Sequence, residues 1–542
     1  MYLSIEQWRA GILEFADQGQ TDNPFLDRRI SAEFTGPSGR KIIREAYWDG
    51  GNSYKVSFAP TETGRWAYVL TAPENTGLNG KTGIVECTAY TGDLPIYQHG
   101  FLKIGGQGKY IAYDDDTPFF WLGDTHWGFI AGEKWDESNH PAMRSMFKGM
   151  VDKRWEQGFN VYQTNLRSEG GFMGPTHFWV DGKEGLLPDV GFYQTEVDKR
   201  MFYLADQGMV NALGFAWGGS VVGKLELQKN LARYIVARYG ALPLVWTLAG
   251  EVAGYNGAER QACIDGWREV ALLVQELDGY KHLQTAHYTN ERPFADYYQN
   301  EPWFDFTLNQ AGHGDYPISG QHYREHRRRF PDKPFIEGEA LYEFVFTLEE
   351  NGGRIADADM LRRVAYMSIQ TGGCGFTYGA QGIWDTVWEK PSEAVPFNPF
   401  NPHGITWREA VDGPGATQMG YMRKFYEALG FEKLRPFMGC FNSKLPFSDE
   451  ALFGMFNPYI MASEDMGTVV LYFTAQTRTM GASIKYLKNR PYQAKWFNPR
   501  ENKYLPIEKP VIPRMGEWEI SRPPDTKDWL MVLSEVSGGS HA

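Results

Sequence analysis

Between about residues 100 and 435, short apolar stretches alternate with longer amphipathic ones, and this alternation constrains the fold more than any other feature. The apolar stretches are candidate strands, and they cover residues 119–124, 159–166, 209–217, 244–251, 282–288, 304–310, 334–340 and 375–380. Helical patterns such as 141–157 and 266–278 lie between them. Eight strands, each followed by a helix, over roughly 330 residues predict a (β/α)8 barrel. An open doubly wound sheet is less favoured, because no glycine-rich phosphate turn follows the first strand.

The segments on either side contain strand patterns without helices. In the N-terminal segment, short strands are separated by Gly, Pro and Asn turns. One of these strands alternates in the manner of a half-buried strand, with Tyr54, Val56 and Phe58 on one face and Lys55 and Ser57 on the other. The C-terminal segment alternates and turns in the same way. We therefore predict an α/β protein with an N-terminal β-sandwich at 1–97, a barrel at 98–435 and a C-terminal β-sandwich at 436–542.

Charge and cysteine usage limit the partners and the compartment. The formal net charge is −13, which argues against nucleic acid and anionic membranes, because both require basic patches. A neutral small substrate suits this charge better. The four cysteines form no CxxC pair, which predicts free thiols in a reducing compartment. Since no signal-peptide pattern follows Met1 and no apolar run is long enough to cross a bilayer, we expect a cytoplasmic location. The oligomeric state stays open, a homo-oligomer included.

Two glutamates stand at the carboxyl ends of predicted strands, where the chemistry of such a barrel is found. The fourth strand ends in Glu251, and its period of two directs Glu251 toward the opening above small residues. The seventh strand ends with Glu337 and Glu339; Glu339 lies nearer the opening and is preferred, with Glu337 as the alternative. Glycosidic cleavage requires one carboxyl as acid and a second as nucleophile or base. We therefore predict Glu251 and Glu339 as a catalytic pair.

Other side chains at the same strand ends are candidates for binding a sugar. The candidates for hydroxyl binding are Asp124, His126, Asn165, His287, Gln310 and His313, and those for stacking or an aromatic wall are Trp127, Trp217 and Tyr378. His287 and His313 could instead orient a carboxylate. Each has a structural alternative: a helix cap or a buried contact for the aspartate, core packing for the aromatic residues and a satisfied buried ring for the histidines. We expect no metal and no cofactor at this site.

The motifs that contain these residues resemble a known family. The stretches FFWLGDTHW, GFNVYQTNL, PLVWTLAGE and KPFIEGEALYE are similar to the apiosidase-like glycoside hydrolases of the DUF4038 type. The N-terminal AYWDGGNSYKVSFAPTETGRWAY resembles the DUF5060 β-sandwich, and the C-terminal YQAKWFNPRENKY resembles a small β-domain often labelled collagen-binding. The resemblance implies a retaining mechanism with Glu251 as acid/base and Glu339, in the GExxYE motif, as nucleophile. Asp124 and Trp127 fall on the GDTxW motif of the family.

This sequence departs from the family pattern at the acid. Glu251 stands where the apiosidase-like pattern commonly has Asp, and Gly250 precedes it where the wider clan commonly has Asn. The resemblance therefore does not imply apiose as the sugar. We expect double displacement on a small plant- or glycan-derived oligosaccharide or glycoside.

Two other functions compete with this reading. A barrel could bind sugar without cleaving it, although a binding protein has no need of two opposed carboxylates. The stretch His322-Tyr323-Arg324-Glu325-His326 also matches the H-x-x-E-H zinc-peptidase motif. The motif falls on a helix between the sixth and seventh strands and is crowded by arginines, which would repel a cation, so a metallopeptidase using His322 and His326 is the weakest of the three hypotheses.

Overall fold

The computed structural model describes residues 2–166, 176–254, 257–291, 294–313, 321–347, 353–390, 401–442, 457–475, 477 and 482–536. The N-terminal strands are β1 (Tyr2–Glu6), β2 (Gly11–Ala16), β3 (Ser31–Thr35), β4 (Lys41–Glu45), β5 (Tyr47–Trp48), β6 (Ser53–Phe58), β7 (Gly64–Thr71) and β8 (Thr82–Thr88). They form one sheet in the order β1-β8-β7-β3-β4 and another in the order β2-β6-β5. Between the sheets, the rings of Phe34 and Phe58 stack with their centroids 3.7 Å apart.

Strand β6 departs from the expected half-buried pattern. Tyr54, Val56 and Phe58 are buried as predicted, but Ser57 on the opposite face is buried as well. The reason is that this face packs against helix α5 (Leu225–Tyr239) of the central region. The first sheet pair is therefore attached to the rest of the molecule through the strand face that the sequence pattern assigns to solvent.

A small antiparallel sheet precedes the central region. It follows the short helix α1 (Pro95–His99) and consists of β9 (Leu102–Gly105), β10 (Tyr110–Tyr113) and β11 (Pro118–Phe119). The sequence does not predict this sheet, because its strands are only two to four residues long and alternate too little to be recognised as strands.

The central region contains a curled parallel sheet with helices between its strands. The strands are β12 (Trp121–His126), β13 (Val161–Asn165), β14 (Val210–Trp217), β15 (Leu244–Gly250), β16 (Thr307–Gln310), β17 (Phe335–Glu339) and β18 (Gly375–Tyr378), in the order β15-β14-β13-β12-β18-β17-β16. The other helices are α2 (Met146–Glu156), α3 (Val190–Phe192), α4 (Asp198–Asp206), α6 (Arg260–Leu277), α7 (Gln321–Arg329), α8 (Ala358–Gln370), α9 (Trp407–Ala410) and α10 (Pro414–Leu429). All neighbouring strands are parallel, as predicted for alternating strands and helices.

The fifth predicted strand, 282–288, does not form a regular strand. It lies between the two edge strands β15 and β16 and joins each through a single parallel bridge, Trp246 with Gln284 and His287 with Leu308. Side chains replace part of the backbone ladder here: the Asp305 carboxylate accepts from the Gln284 backbone N–H at 2.8 Å, and the Thr285 hydroxyl donates to the carbonyl of Phe306 at 2.6 Å.

The C-terminal region is again built of strands. They are β19 (Leu434–Pro436), β20 (Phe441–Asn442), β21 (Tyr459–Ser463), β22 (Thr468–Phe473), β23 (Ser483–Ile484), β24 (Tyr492–Asn498), β25 (Lys503–Pro506), β26 (Trp518–Glu519) and β27 (Trp529–Glu535). An antiparallel sheet has the order β19-β21-β22-β27-β24-β25, and a smaller one has the order β20-β23-β26. Among the described residues, no helix has both the length and the apolar character needed to span a membrane.

Buried arginines connect both outer regions to the central one. Arg44 of β4 is fully buried, and its guanidinium donates to the carbonyls of Val236 and Ala237 at 2.7 and 3.2 Å. These carbonyls belong to the last turn of α5, and that of Val236 also accepts from the Gly240 backbone N–H at 2.9 Å, so the arginine adds a donor to the helix end from outside the helix. On the other side, Arg362 of α8 pairs with Asp528 at 2.8 Å.

Candidate active site

Glu251 and Glu339 lie at the carboxyl ends of two strands of the parallel sheet. Glu339 is the last residue of β17, and Glu251 follows β15 directly. Glu251 has a φ of +50°, in the left-handed region that a glutamate seldom adopts. Backbone strain of this kind persists where the surrounding structure fixes a side chain in place. The turn after β15 therefore holds the Glu251 carboxylate in a defined position.

A single amide joins the two carboxylates. Gln310 Nε2 donates to Glu251 Oε1 at 3.0 Å and to Glu339 Oε1 at 2.9 Å. The two accepting oxygens are therefore no more than about 6 Å apart, closer than the roughly 6.5–9.5 Å at which inverting glycosidases hold their carboxyl groups. Glu251 and Glu339 thus occupy one site, as the sequence predicts, and Gln310 belongs to the same site.

Two histidines surround the Glu339 carboxylate, which is only 5% exposed. His287 Nε2 lies 3.1 Å from Glu339 Oε2, and His313 Nε2 lies 3.2 Å from Glu339 Oε1. Burial by itself would raise the pKa of Glu339, but the contacts with His287 and His313 outweigh it and hold the pKa well below its usual range. Glu339 is therefore an ionised carboxylate at neutral pH, the state that a nucleophile requires.

The two histidines carry their protons differently. His287 Nδ1 accepts from the backbone N–H of Glu251 at 3.3 Å, which leaves the ring proton on Nε2, facing Glu339. His313 Nδ1 lies 3.0 Å from the carbonyl oxygen of Ala340, so both of its nitrogens face acceptors. Burial lowers the pKa of His313, but the neighbouring Glu339 and Ala340 outweigh it and raise the pKa. The contact with Glu339 therefore favours the charged form of His313.

Glu337, the alternative to Glu339, is fully buried and turned away from Glu251. Its Oε1 accepts from the backbone N–H groups of Ala311 at 2.9 Å and Glu339 at 3.3 Å. Its Oε2 accepts from the Tyr323 hydroxyl at 2.8 Å. These bonds fix the backbone at Ala311 and at Glu339, so Glu337 stabilises the position of Glu339.

Asp124 and His126 belong to a buried ion-pair network in place of the sugar contacts predicted for them. Both side chains are fully buried, and the Asp124 carboxylate accepts from Arg154 at 2.5 Å and lies 2.8 Å from His126 Nε2. The other nitrogen of His126 lies 2.5 Å from Glu133 Oε1, and Tyr162 donates to the same carboxylate. Burial opposes the charge on His126, but Glu133 and Asp124 raise its pKa to about 9. These contacts leave no open side from which a sugar could approach.

Trp127 and Trp217, predicted as stacking surfaces for a sugar, lie together near the carboxylate pair. The ring of Trp127 is 5.6 Å from that of Trp217 and 5.3 Å from that of His287, edge-on in both cases. Trp217 is partly exposed, whereas Trp127 is 3% exposed and packs in the core. Asn165, also buried, donates to the carbonyl of Ala216 at 2.8 Å and so holds the end of β14.

Tyr378 and His326, the last residue of the H-x-x-E-H motif, are both buried in the core. The Tyr378 hydroxyl donates to Glu343 at 2.7 Å from a fully buried position, so the residue forms no open platform. His326 packs edge-on against Phe294 and Phe335, and burial, then the nearby Arg329 and Arg327, lower its pKa to about 3. This aromatic packing encloses one member of the predicted zinc pair, which argues against the metallopeptidase hypothesis.

A family model for the apiosidase-like catalytic domain matches residues 106–433, more than half of the chain. The chain belongs to the apiosidase-like family. The match contains the parallel sheet and both glutamates, so this apiosidase-like protein is a glycoside hydrolase by family. A model for DUF5060, a domain of unknown function, matches residues 4–73, and a model assigned to the collagen-binding domain of a collagenase matches residues 454–534. All three resemblances stated from the sequence are confirmed.

Solved structures similar to this apiosidase-like protein show the same fold. A protein from Bacteroides vulgatus ATCC 8482 assigned to the glycoside hydrolases is 17% identical, has a TM-score of 0.71, and aligns over 98% of this chain and 100% of its own. A glycoside hydrolase family 5 protein from the same organism is 20% identical, has a TM-score of 0.65, and aligns over 82% of this chain and 95% of its own. No curated protein sequence matches the chain significantly.

Tyr342 is a site residue that the sequence does not single out, and Trp384 lies beyond it. Burial, followed by the adjacent Glu339 carboxylate, raises the pKa of Tyr342, and the His313 ring lies 4.4 Å from the tyrosine ring. The Trp384 ring lies 6.4 Å from that of Tyr342, in the loop after β18. Tyr342 is the tyrosine of the GExxYE motif and could have been predicted from it. Trp384 lies beyond the end of its strand, where no sequence pattern marks it.

We expect the Gln310→Leu variant to shift the pH dependence of the apiosidase-like enzyme. Removing the shared amide leaves two carboxylates close together without a donor between them, so joint ionisation becomes less favourable. The acid limb of the kcat/KM profile should move to higher pH by about one unit, because that limb reports the essential base of the free enzyme.

The matched control is Gln299→Leu, which removes another buried amide whose Nε2 donates to Thr307 at 2.8 Å. This variant should leave the acid limb in place, even if the enzyme becomes less stable. An unshifted acid limb in Gln310→Leu would show that the amide does not govern the ionisation of the pair.

Proposed function

We propose that this protein is a retaining glycoside hydrolase that works by double displacement, with Glu251 as acid/base and Glu339 as nucleophile. The observation that carries the proposal is the single Gln310 amide that both carboxylates share. Retaining glycosidases hold their carboxyl groups about 5–5.5 Å apart, and a donor shared by both carboxylates agrees with a separation of this kind. The low pKa of Glu339 agrees with the role of the attacking group.

In the first step, Glu339 attacks the anomeric carbon while Glu251 donates its proton to the departing oxygen, which leaves as an alcohol. The products of this step are a glycosyl ester on Glu339 and a Glu251 carboxylate. In the second step, Glu251 removes a proton from water, the water oxygen attacks the anomeric carbon, and the ester bond to Glu339 breaks. Both glutamates return to their starting states.

The neighbours of the pair support this division of roles. Two carboxylates this close resist ionising together, which favours one proton on the pair. His287 and His313 lie within 3.2 Å of Glu339, which also accepts from Gln310, so we assign the shared proton to Glu251. Hydrogen-bond donors around the nucleophile also stabilise it as the leaving group of the second step.

We further propose that segment 282–288 closes the curled sheet into a complete (β/α)8 barrel. The segment supplies the bridges between β15 and β16, the two edge strands, and brings His287 between the two glutamates. With this closure the domain boundaries remain those predicted, 1–97, 98–435 and 436–542. The substrate is a small plant- or glycan-derived oligosaccharide or glycoside. Four free, buried cysteines agree with the predicted cytoplasmic location, which stays a prediction.

A barrel that binds carbohydrate without cleaving it is the second candidate. The packing of Trp217 beside Glu251 would suit it equally well. A binding protein does not account for a buried, ionised Glu339 beside a second carboxylate. Placing two acidic groups together is unfavourable, and binding alone does not require it.

The experiment that tests the proposal follows the configuration of the product. A panel of aryl glycosides, furanosides included, first identifies a cleaved sugar, and proton NMR then records the anomer released before mutarotation. We expect the product to keep the configuration of the substrate. A 2-fluoro analogue of that sugar should label Glu339 covalently, and peptide mass spectrometry can locate the label. Release of the opposite anomer would contradict double displacement, and absence of any cleavage across the panel would favour the binding protein.

A further inference from the structure

A small cavity lies where three parts of the fold meet, far from the glutamate pair. Its volume is about 20 Å³, and its wall includes Lys109 between β9 and β10, Arg327 of α7, Gly372 in the loop before β18, and Arg435 and Pro436 of β19. Helix α7 leads into the start of β17, and the loop leads into the start of β18. The cavity therefore lies at the amino end of the parallel sheet, the end that serves stability in such folds.

The side chains of two arginines meet at this cavity. A Cβ added at Gly372 would lie 3.6 Å from Cδ of Arg327 and 3.2 Å from Cγ of Pro436, the residue that follows Arg435. Arg327 comes from a helix of the central region, and Arg435 comes from a strand of the C-terminal sheet. Two positive charges from different regions of the fold therefore share one cavity.

The environment of these arginines favours a negative partner. Nη1 of Arg327 is buried, and no described residue offers it a hydrogen-bond acceptor. Burial, and after it the charge of Arg435, lowers the pKa of Arg327, and burial also lowers the pKa of Arg435. Like charges in a partly closed space destabilise each other, and a buried donor without an acceptor adds to this cost.

The acidic residues nearby do not supply that partner. Glu432 lines the cavity, but its carboxylate lies 3.7 Å from Nζ of Lys433. Glu432 and Glu464 raise the pKa of Arg435 through their charge alone, and Asp332 acts on Arg327 in the same way, without a hydrogen bond. The guanidinium of Arg327 therefore keeps a donor for an acceptor from outside the chain.

The size of the cavity limits what this acceptor can be. A single water-sized particle needs roughly 10–15 Å³, so the cavity accommodates one such particle. A chloride ion is only slightly larger than a water molecule and accepts several hydrogen bonds from guanidinium groups. Phosphate and sulfate carry four oxygens and do not fit unless the walls move.

We propose that this cavity binds a monatomic anion, chloride, between Arg327 and Arg435. The bound anion offsets the repulsion between the two guanidinium groups and accepts from Nη1 of Arg327. It thereby joins α7 of the central region to β19 of the C-terminal sheet. The inference does not depend on the proposed function, and its test measures no catalysis.

The test compares thermal unfolding of the full chain in sodium chloride and in sodium gluconate at equal ionic strength. Gluconate is too large for the cavity, so it matches the screening by salt without occupying the site. We expect the unfolding midpoint to be higher in chloride by about 2 °C, because a ligand that binds only the folded state stabilises that state.

Arg327→Met distinguishes an anion site from an arginine that only packs. Methionine keeps much of the apolar stem and removes the charge, so the midpoint should no longer depend on chloride. In gluconate the variant should unfold no earlier than the unsubstituted protein, since the repulsion with Arg435 is gone. An arginine with a purely structural role would instead lower the midpoint equally in both salts, and that result would overturn the inference.

The matched control is Arg65→Met, which removes an exposed arginine of β7. This variant should keep the full increase of the midpoint in chloride. Arg435→Met should lose the increase, and it provides a second variant if Arg327→Met does not fold. An increase in chloride that is equal in all the variants would be a general salt effect and would refute the site.

Bromide locates the anion directly. In crystals of the full chain soaked in sodium bromide, we expect an anomalous difference peak between the guanidinium groups of Arg327 and Arg435. No peak at this position would overturn the inference. A stabilisation by sulfate that also requires Arg327 would show that the site takes a larger anion, and it would overturn the assignment to a monatomic one.

Discussion

Glu339→Gln is expected to lower kcat by about 10,000-fold or more on any glycoside that the enzyme cleaves, since an amide cannot form the covalent intermediate. The substitution keeps the size of the side chain, so the Gln310 contact and the fold should survive. The measurement is steady-state hydrolysis of an activated aryl glycoside, with protein integrity checked by circular dichroism. An exposed carboxylate provides the control: Glu325, which pairs with Arg328 on α7, should tolerate glutamine without loss of rate.

The comparison with Glu251 separates the two roles within the pair. Glu251→Gln should slow substrates with poor leaving groups by about 100- to 10,000-fold, the range of general acid catalysis. A dinitrophenyl glycoside needs no proton on its leaving oxygen, so its first step should be much less affected. If Glu339→Gln retained the activity and Glu337→Gln abolished it, the nucleophile would be Glu337 instead.

Arg154→Met should lower the free energy of unfolding by about 3–5 kcal/mol, the cost of leaving a buried charge without its partner. Arg154 and Asp124 are both fully buried, and the Asp124 carboxylate lies 2.5 Å from the guanidinium. Burial would raise the pKa of Asp124, but Arg154 and then His126 lower it, so the aspartate is charged in the folded protein. The measurement is the shift of the urea unfolding midpoint of the central region, followed by tryptophan fluorescence.

Lys41→Met is the matched control, because it breaks a lysine–glutamate pair on the exposed face of the first sheet, at 2.7 Å. Exposed pairs contribute only about 0–1 kcal/mol, so this midpoint should scarcely move. A double variant, Arg154→Met with Asp124→Asn, should recover part of the loss, since it removes the unpaired charge. Equal midpoints for Arg154→Met and Lys41→Met would contradict the assignment of Asp124 to a buried ion pair.

The sequence suffices to place the carboxylate pair, because strand ends and a period of two are local signals. Glu251 and Glu339 each stand at the end of a buried, largely apolar strand, and parallel strands bring their carboxyl ends to one edge of the sheet. The same logic correctly indicates that Gln310 and His287 lie at this edge. What it cannot give is the distance between them, which depends on how the sheet curls.

Contacts with residues distant in the sequence explain why the predictions for Asp124 and for segment 282–288 differ from the structure. Asp124 has the same signature as a substrate-binding residue, but Arg154, thirty positions later, turns it into a buried ion pair. Segment 282–288 has the composition of a strand, yet the Asp305 side chain takes one of its backbone donors. In both cases a polar side chain from another element forms the hydrogen bond, and the periodicity of a single sequence does not reveal such a contact.

The arginine that reaches from β4 into the end of α5 makes the first sheet pair part of the enzyme's scaffold. Detaching that module would remove the Arg44 donor from the carbonyls of Val236 and Ala237 and expose the Ser57 face of β6 to water. A chimera that carries the central region would therefore need the arginine-bearing strand as well, because this contact crosses the proposed boundary at residue 97.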